Sequence, residues 1–239
     1  MEFKNFDEKF LYENIKNKRK YLKLKKELET KPLSYILGNT NFYGYEYKVN
    51  KNTLIPRFET EELVENTLNY IKEYFDYPIE ALDIGTGSGA IGITLVLENP
   101  NIEVTMTDIS KKALSIAKKN TKKHKIKANF IKSDFLENIT KKYDLIISNP
   151  PYIDNKEDID QKVLNNEPHL ALFGGIEVYD KILKGAKPKL KQKSIIAFEF
   201  GYNQKKDLKE VIKKYFPKSK VIFKKDLSKK DRMVFIFNE

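Results

Sequence analysis

The stretch Tyr143-Asp144-Leu145-Ile146-Ile147-Ser148-Asn149-Pro150-Pro151-Tyr152 restricts the possible folds more than any other part of the chain. Leu145, Ile146 and Ile147 form an unbroken apolar run. This is the pattern of a strand covered on both faces in a parallel sheet, where neither face meets water and no alternation is needed. Two prolines then stop the strand. They carry no amide N–H, and each pushes the residue before it toward extended backbone, so the carbonyls of Asn149 and Pro150 belong to a stiff turn. An Asn side-chain oxygen beside a fixed backbone carbonyl offers two acceptors to a planar –NH2 group, either a carboxamide or the exocyclic amine of a base. Tyr152 can lie against the plane of such a group. The same four residues also suit a proline-terminated strand with an ordinary Asn turn, so alone they leave function open.

From Ile79 onward the chain alternates strand and helix patterns. Ala81–Ile84 runs into Gly85-Thr86-Gly87-Ser88-Gly89 and then a helix from Ala90 to Leu97. A second strand, 103–107, ends at Asp108 and is followed by a helix from Ser110 to Asn120. A short third strand, 128–131, precedes Ser133-Asp134-Phe135. The strand before the two prolines is the fourth, 194–200 is a fifth, 204–216 a helix, and 220–225 with 233–237 a closing strand pair. Regular alternation of this kind predicts an α/β fold, a parallel sheet with helices on both faces.

The region before it is less regular. Phe3, Phe6, Phe10, Leu11, Ile15, Tyr21, Leu22 and Leu24 give residues 1–30 an uneven amphipathic helical pattern in a segment too short to fold alone. Phe42 to Val49 alternates like a strand, and Asn50-Lys51-Asn52 separates it from Thr53 to Pro56, which predicts a hairpin. Thr60 is the expected N-cap of the next helix, with Glu61 and Glu62 in its first turn. The expected division is a helical appendage over 1–30, a linker with hairpin over 31–58 and the main domain over 59–239.

With 239 residues the chain can hold one α/β domain of ordinary size and a small appendage. Its formal charge of +11 invites a nucleic-acid reading. Of its 45 basic residues, however, only Arg19, Arg57 and Arg232 are arginines. A lysine excess spread over most helices reads as a solvated surface, and a base reader more often uses Arg, so a direct nucleic-acid substrate is disfavoured. The basic runs 122–127 and 187–193 are expected to be solvated loops. Absence of cysteine excludes disulfides and Cys-based metal sites. The first residues lack the apolar core of a signal peptide, and no segment approaches the roughly 18 apolar residues of a membrane span, so the protein is expected to be soluble, cytoplasmic and without a membrane partner. His124 and His169 have no further ligand types beside them, and no metal role is expected.

Glycines after a buried strand let a ligand approach the backbone and open a helix N-terminus toward it. Gly85-Thr86-Gly87-Ser88-Gly89-Ala90 fits a nucleotide-binding turn in general and also the dinucleotide fingerprint that ends in Ala. Asp108, 23 residues beyond Gly85 at the tip of the next strand, can accept both hydroxyls of an adenosine ribose. Either a nicotinamide dinucleotide or S-adenosylmethionine satisfies these positions. Asp83 tips the balance, because a carboxylate near the loop repels a pyrophosphate but tolerates an ammonium and a sulfonium. Phe135 either packs on the adenine face, with Asp134 near its amino group, or belongs to the core.

Taken together, Asp83 to Gly89, Asp108 and Asn149 to Tyr152 resemble the class I methyltransferases that methylate a planar nitrogen. Pro32 to Gly38, Phe42 to Gly44, Leu54 to Glu65, Glu167-Pro168, Ala171 to Gly175, Glu199-Phe200-Gly201 with Gln204, and Asp231-Arg232 further resemble the HemK/PrmC-type protein-(glutamine-N5) methyltransferases of peptide-chain release factors. The resemblance implies a Rossmann-like, seven-stranded and mostly parallel sheet. It also implies S-adenosylmethionine as cofactor, held by Gly85, Thr86, Gly87, Ser88, Gly89, Asp108, Phe135 and Asn149, with S-adenosylhomocysteine as product. Asn149, Pro150, Pro151 and Tyr152 are then the catalytic and substrate-binding residues, and a class 1 release factor is the partner of an expected monomer. Other readings of the same motifs are a glutamine methyltransferase acting on a ribosomal protein, an adenine-N6 DNA methyltransferase and a basic RNA- or ribosome-binding module. Two departures stand out: Phe58 replaces a second proline common in that family, and 1–30 is shorter than its usual N-terminal helical domain.

Overall fold

A computed structural model describes residues 4–154 and 159–239; Phe3, part of the expected N-terminal apolar pattern, lies outside the described residues. The molecule is organised around a seven-stranded sheet. In chain order its strands are β3 (Ile79–Ile84), β4 (Ile102–Asp108), β5 (Asn129–Lys132), β6 (Tyr143–Ser148), β7 (Leu190–Glu199), β8 (Lys220–Lys225) and β9 (Asp231–Asn238). Their spatial order is β5-β4-β3-β6-β7-β9-β8. The first five run parallel, and β9 inserts antiparallel between β7 and β8. This is the fold of the class I methyltransferases.

The strand β6 is covered on both faces, as its unbroken apolar run requires. Leu145 and Ile147 pack in one core with Leu63, Val64 and Ile71 of α4 (Phe58–Tyr74), Ile93 and Leu95 of α5 (Ala90–Glu98) and Ala117 of α6 (Lys111–Lys123). Ile146, between them, faces the other core with Tyr179, Ile182 and Leu183 of α9 (Ile176–Ala186) and Leu208 and Ile212 of α10 (Lys205–Tyr215). Each of the Leu, Ile and Val side chains among these stabilises the fold by roughly 1.5–3 kcal/mol relative to exposure.

The strand order also decides where a ligand can bind. From β3 the chain steps outward to β4 and β5, then returns to lay β6 on the opposite side of β3. At such a reversal the loops after the two central strands diverge to opposite faces and leave a crevice at their carboxyl ends. In register, Ile84 lies beside Ser148, so the glycine loop after β3 and the Asn-Pro-Pro turn after β6 emerge side by side.

Three local expectations are corrected. The hairpin pairs β1 (Asn39–Phe42) with β2 (Tyr45–Lys48), and Thr53–Pro56 is not a strand. The turn is Tyr43-Gly44, with φ of 52° and 77°, the paired left-handed residues of a tight hairpin turn placed inside the alternating run. Asn50 instead closes a turn of its own, its Oδ1 accepting the Asn52 N–H at 3.0 Å and its carbonyl the Thr53 N–H at 2.9 Å. Next, α4 begins at Phe58 with Arg57 as its cap, and Thr60 lies buried inside the first turn. Finally, the basic run 187–193 is half strand: Lys191 belongs to β7 and pairs with Asp144 at 2.8 Å and Glu80 at 3.0 Å.

At the other end α1 (Phe6–Asn14) and α2 (Lys18–Glu27) form a small core of their own around Leu11, Tyr21 and Leu28, closed by Leu33, Ile36 and Leu37 of α3 (Leu33–Leu37). They are tied to α7 (Gln161–Asn166), where Lys162 Nζ donates to the Leu28 carbonyl at 2.6 Å and Asn166 Nδ2 to the Thr30 carbonyl at 2.7 Å. Among the described residues no helix is long and apolar enough to cross a membrane.

Candidate active site

A cavity of about 440 Å³ opens at the carboxyl ends of β3, β4 and β6. On one wall are Gly85 and Gly87 of the glycine loop, Asp108 and Phe135; on the other are Asn149, Pro150 and Pro151.

The loop keeps its shape through Asp83. This wholly buried carboxylate accepts the Thr86 hydroxyl at 2.5 Å and the Gly92 N–H at 3.0 Å on Oδ2, which ties the start of the loop to the helix that follows. Burial pushes its carboxyl up to about 7, and Oδ1 has no partner among the described residues. Gly85 sits at φ 67° with open space where a Cβ would project, and Gly89 at φ 86° where a Cβ would come within 3.2 Å of Ala117 Cβ. The first is a backbone conformation that a side chain strains; the second also allows α5 and α6 to pack closely.

Asp108 ends β4. Its Oδ2 accepts the Gly87 N–H at 3.0 Å and its Oδ1 the Ser110 N–H at 2.8 Å, so each oxygen is fixed by one donor and keeps capacity for another. Burial pushes this carboxyl up while the two backbone donors pull it back. Phe135, held at φ 46°, has Lys181 Nζ 5.3 Å from its ring centre, and Lys181 in turn pairs with Asp134 at 2.6 Å.

Of the expected cofactor positions the structure thus brings Gly85, Gly87, Asp108, Phe135 and Asn149 to one cavity. Thr86, Ser88 and Gly89 do not line it. The Thr86 hydroxyl is committed to Asp83, the Ser88 carbonyl accepts from Asn120 Nδ2 at 2.8 Å, and Gly89 is the cap of α5. Local motif reading treats all five loop residues alike, whereas in the folded turn only Gly85 and Gly87 reach the cavity.

The second wall depends on distant partners. Asn149 Nδ2 donates to Thr60 Oγ1 at 2.9 Å, and Thr60 donates to Glu199 Oε2 at 2.6 Å. Tyr152 does not line the large cavity. Its hydroxyl donates to Glu199 Oε1 at 3.0 Å, and its ring borders a second cavity of about 80 Å³ with Leu54, Arg57, Asn149 and Pro150. The two cavities share Asn149 and Pro150 in their walls. Burial and the Glu199 charge push the Tyr152 phenol up, and Arg232 stacks 6.0 Å from its ring centre. Gln204 Nε2 donates to the Tyr152 carbonyl at 2.9 Å, which fixes the far end of the turn.

Thr60, Glu199 and the clamp on residues 55–57 escaped the site assignment from sequence. Glu167 is buried; it pairs with Arg57 Nη2 at 2.6 Å and accepts the Ile55 N–H at 3.0 Å, which anchors the segment bearing Leu54 over both cavities. The available signal for Glu199 was a lone acid closing an apolar strand, since carboxylates are rarely buried without a purpose. His124 and His169 each place Nε2 3.0 Å from a backbone carbonyl, of Glu46 and Leu164 respectively.

A Rossmann-like sheet with a glycine loop, an acidic strand tip and an Asn-Pro-Pro-Tyr turn converging on one crevice defines a methyltransferase, and residues 68–227 match the family described as Methyltransferase small domain. Over 211 residues the chain is 42% identical to the release factor glutamine methyltransferase of Streptococcus pneumoniae, covering 86% of this chain and 75% of that one. It is 39% identical over 219 residues to the enzyme of the same name from Bacillus cereus, covering 88% and 77%. The chain belongs to the release factor glutamine methyltransferase family. Among solved structures, a release factor-specific protein-(glutamine-N5) methyltransferase from Alicyclobacillus acidocaldarius superposes with a TM-score of 0.52 at 24% identity, over 81% of this chain and 99% of that one. The Thermus thermophilus 16S rRNA N2 G1207 methyltransferase, solved with AdoMet and guanosine, shares the fold with a TM-score of 0.61 at 16% identity, over 84% and 50%.

Proposed function

We propose that this chain transfers the methyl group of S-adenosylmethionine to the side-chain amide nitrogen of the glutamine in the Gly-Gly-Gln segment of a class 1 release factor, acting as a cytoplasmic monomer. The observation that carries this reading is the orientation of Asn149: with Nδ2 engaged by Thr60, Oδ1 is the atom left to accept from an incoming –NH2 group.

The cofactor wall suits S-adenosylmethionine. Asp108 offers two acceptors for a ribose, Gly85 leaves the space of a missing Cβ, Phe135 offers a ring for the adenine, and Asp83 holds an unpartnered buried oxygen beneath the loop. When bound, S-adenosylmethionine supplies an electrophilic methyl group on a sulfonium.

An amide nitrogen is a poor nucleophile because its lone pair is delocalised into the carbonyl. Asn149 Oδ1 and the Pro150 carbonyl offset this by each accepting one N–H of the glutamine amide and fixing its orientation in a site walled by Pro151 and Leu54. Both acceptors are rigid, one through Thr60 and the other through the proline pair, so little ordering remains when substrate enters. The product nitrogen gains a methyl group and releases one proton to water. Tyr152, held by Glu199, braces the turn from behind rather than facing the cofactor cavity.

The decisive experiment incubates the enzyme with labelled S-adenosylmethionine and an intact release factor, with mass spectrometry of the Gly-Gly-Gln peptide. One methyl on the glutamine is expected, and none when that Gln is replaced by Glu, which lacks both N–H donors and faces two carbonyl acceptors. Label on adenine of duplex DNA with none on the release factor would overturn the reading.

A further inference from the structure

Glu199 lies at the end of β7, wholly buried and one residue past the last core side chain of that strand. Burial pushes its carboxyl up, while the Thr60 and Tyr152 hydroxyls and the Arg232 charge pull it back toward the ionised form, and an ionised carboxylate accepts hydrogen bonds and donates none. Its two oxygens are occupied by different hydroxyls, Oε2 by Thr60 at 2.6 Å and Oε1 by Tyr152 at 3.0 Å, while its backbone carbonyl takes the Tyr179 hydroxyl at 2.9 Å. Thr60 has a single proton, and this proton is committed to Glu199. The hydroxyl can therefore only accept from its other neighbour, and that neighbour is Asn149 Nδ2 at 2.9 Å. An Asn149 amide turned over would set Oδ1 against Thr60 Oγ1, two acceptors with no proton between them.

We propose that Glu199 and Thr60 are positioning residues that dictate the polarity of the Asn149 amide, so that its oxygen rather than its nitrogen faces the acceptor. The proposal rests on the reading of Asn149 given above and adds what makes that reading directional. A primary amide is nearly symmetric in shape, so packing alone discriminates poorly between its two orientations. A carboxylate two hydrogen bonds away discriminates well. It acts through Thr60 without touching the acceptor, and through Tyr152 it fixes the same turn from its other end.

The test compares Thr60→Val, Thr60→Ser, Glu199→Gln and Asn149→Ala in steady-state kinetics on an intact release factor, with calorimetry of S-adenosylmethionine binding. Thr60→Val removes the relay at nearly constant volume. Glu199→Gln can donate to Thr60 and let the chain of donors reverse. Both should lower kcat by about 10–100-fold with cofactor affinity within about 2-fold, and Thr60→Ser should stay within about 3-fold of wild type. Wild-type kcat in Thr60→Val and Glu199→Gln, with Asn149→Ala inactive, overturns the relay and spares the reading of Asn149. Wild-type kcat in Asn149→Ala overturns that reading itself. An NMR measurement on the wild-type protein is independent of how the variants fold: the Asn149 side-chain NH2 protons should show an NOE to the Thr60 methyl group, and its absence overturns the proposal.

Discussion

The cofactor wall and the acceptor wall of the cavity are built in opposite ways. The first is assembled mostly from near neighbours in sequence and largely from backbone: Asp83 holds Thr86 three residues on and Gly92 nine residues on, and Asp108 holds the N–H of Ser110 two residues on and reaches the Gly87 N–H 21 residues back. The second is assembled from side chains that meet across the fold, at sequence separations of 89 for Asn149 and Thr60, 139 for Thr60 and Glu199 and 47 for Tyr152 and Glu199. A wall made of local turns is formed once its strand is in place. A wall made of long-range hydrogen bonds is formed only when α4, β6 and β7 are all docked, so it reports on the integrity of the whole sheet.

The sharpest way to break this contrast is at its two chemical centres. Asn149→Ala should reduce turnover at least about 100-fold while leaving most of the cofactor affinity, because it deletes an acceptor that orients the nucleophile. Turnover near wild type, measured on an intact release factor, would remove the acceptor wall from the mechanism. On the cofactor side, Asp83 is expected to act on stability. Burial raises its pKa in the folded state to about 7, above the ordinary 3.8, so the native state is penalised as the group ionises. That penalty is absent below about pH 4 and grows as pH rises toward 7. The neutral variant Asp83→Asn should therefore match wild type near pH 4 and exceed it by on the order of 4 kcal/mol near pH 8 in denaturant titrations. A pH-independent difference would mean that Asp83 titrates normally.

Asp108→Ala should weaken S-adenosylmethionine binding by about 10–100-fold, or roughly 1.4–2.7 kcal/mol, through the loss of two charged acceptors. Calorimetry showing unchanged affinity would displace the ribose from this strand tip. Gly89→Ala should cost about 1–2 kcal/mol of stability, because φ is 86° and the added Cβ would come 2.9 Å from Ile93 Cδ1. A thermal melt at the wild-type temperature would show that the loop can relax. The smallest effect is expected at Lys181→Ala, with thermal stability and cofactor affinity both close to wild type, since its pairing with Asp134 is partly solvent-exposed. A larger loss of cofactor affinity would mean that Lys181 and Phe135 act together on the ligand.

Much of the fold was legible in the residues themselves. The apolar run of β6, the glycine loop after β3 and the carboxylate at the tip of β4 each announce a local geometry, and each is found where that geometry requires. Errors arose where a local signal had two uses. Thr60 has the side chain of a helix cap and stands beside two glutamates, yet it lies inside the helix, where its hydroxyl is bound by the buried Glu199. Tyr43-Gly44 sits within an alternating strand pattern that hides the turn, and the three-residue Asn50-Lys51-Asn52 segment looks more like one.

What the sequence determined by itself is the class of ligand and the chemistry on offer: a left-handed glycine turn, an acidic strand tip and an Asn followed by two prolines are properties of neighbouring residues, set by backbone sterics over a few bonds. Only the tertiary structure decided which of those residues share a cavity and which way Asn149 faces. Both depend on β6 lying beside β3, and on Thr60 and Glu199 reaching Asn149 from elements far away in the chain. Hydrogen-bond direction is fixed by partners in space, and spacing along the chain carries no record of them.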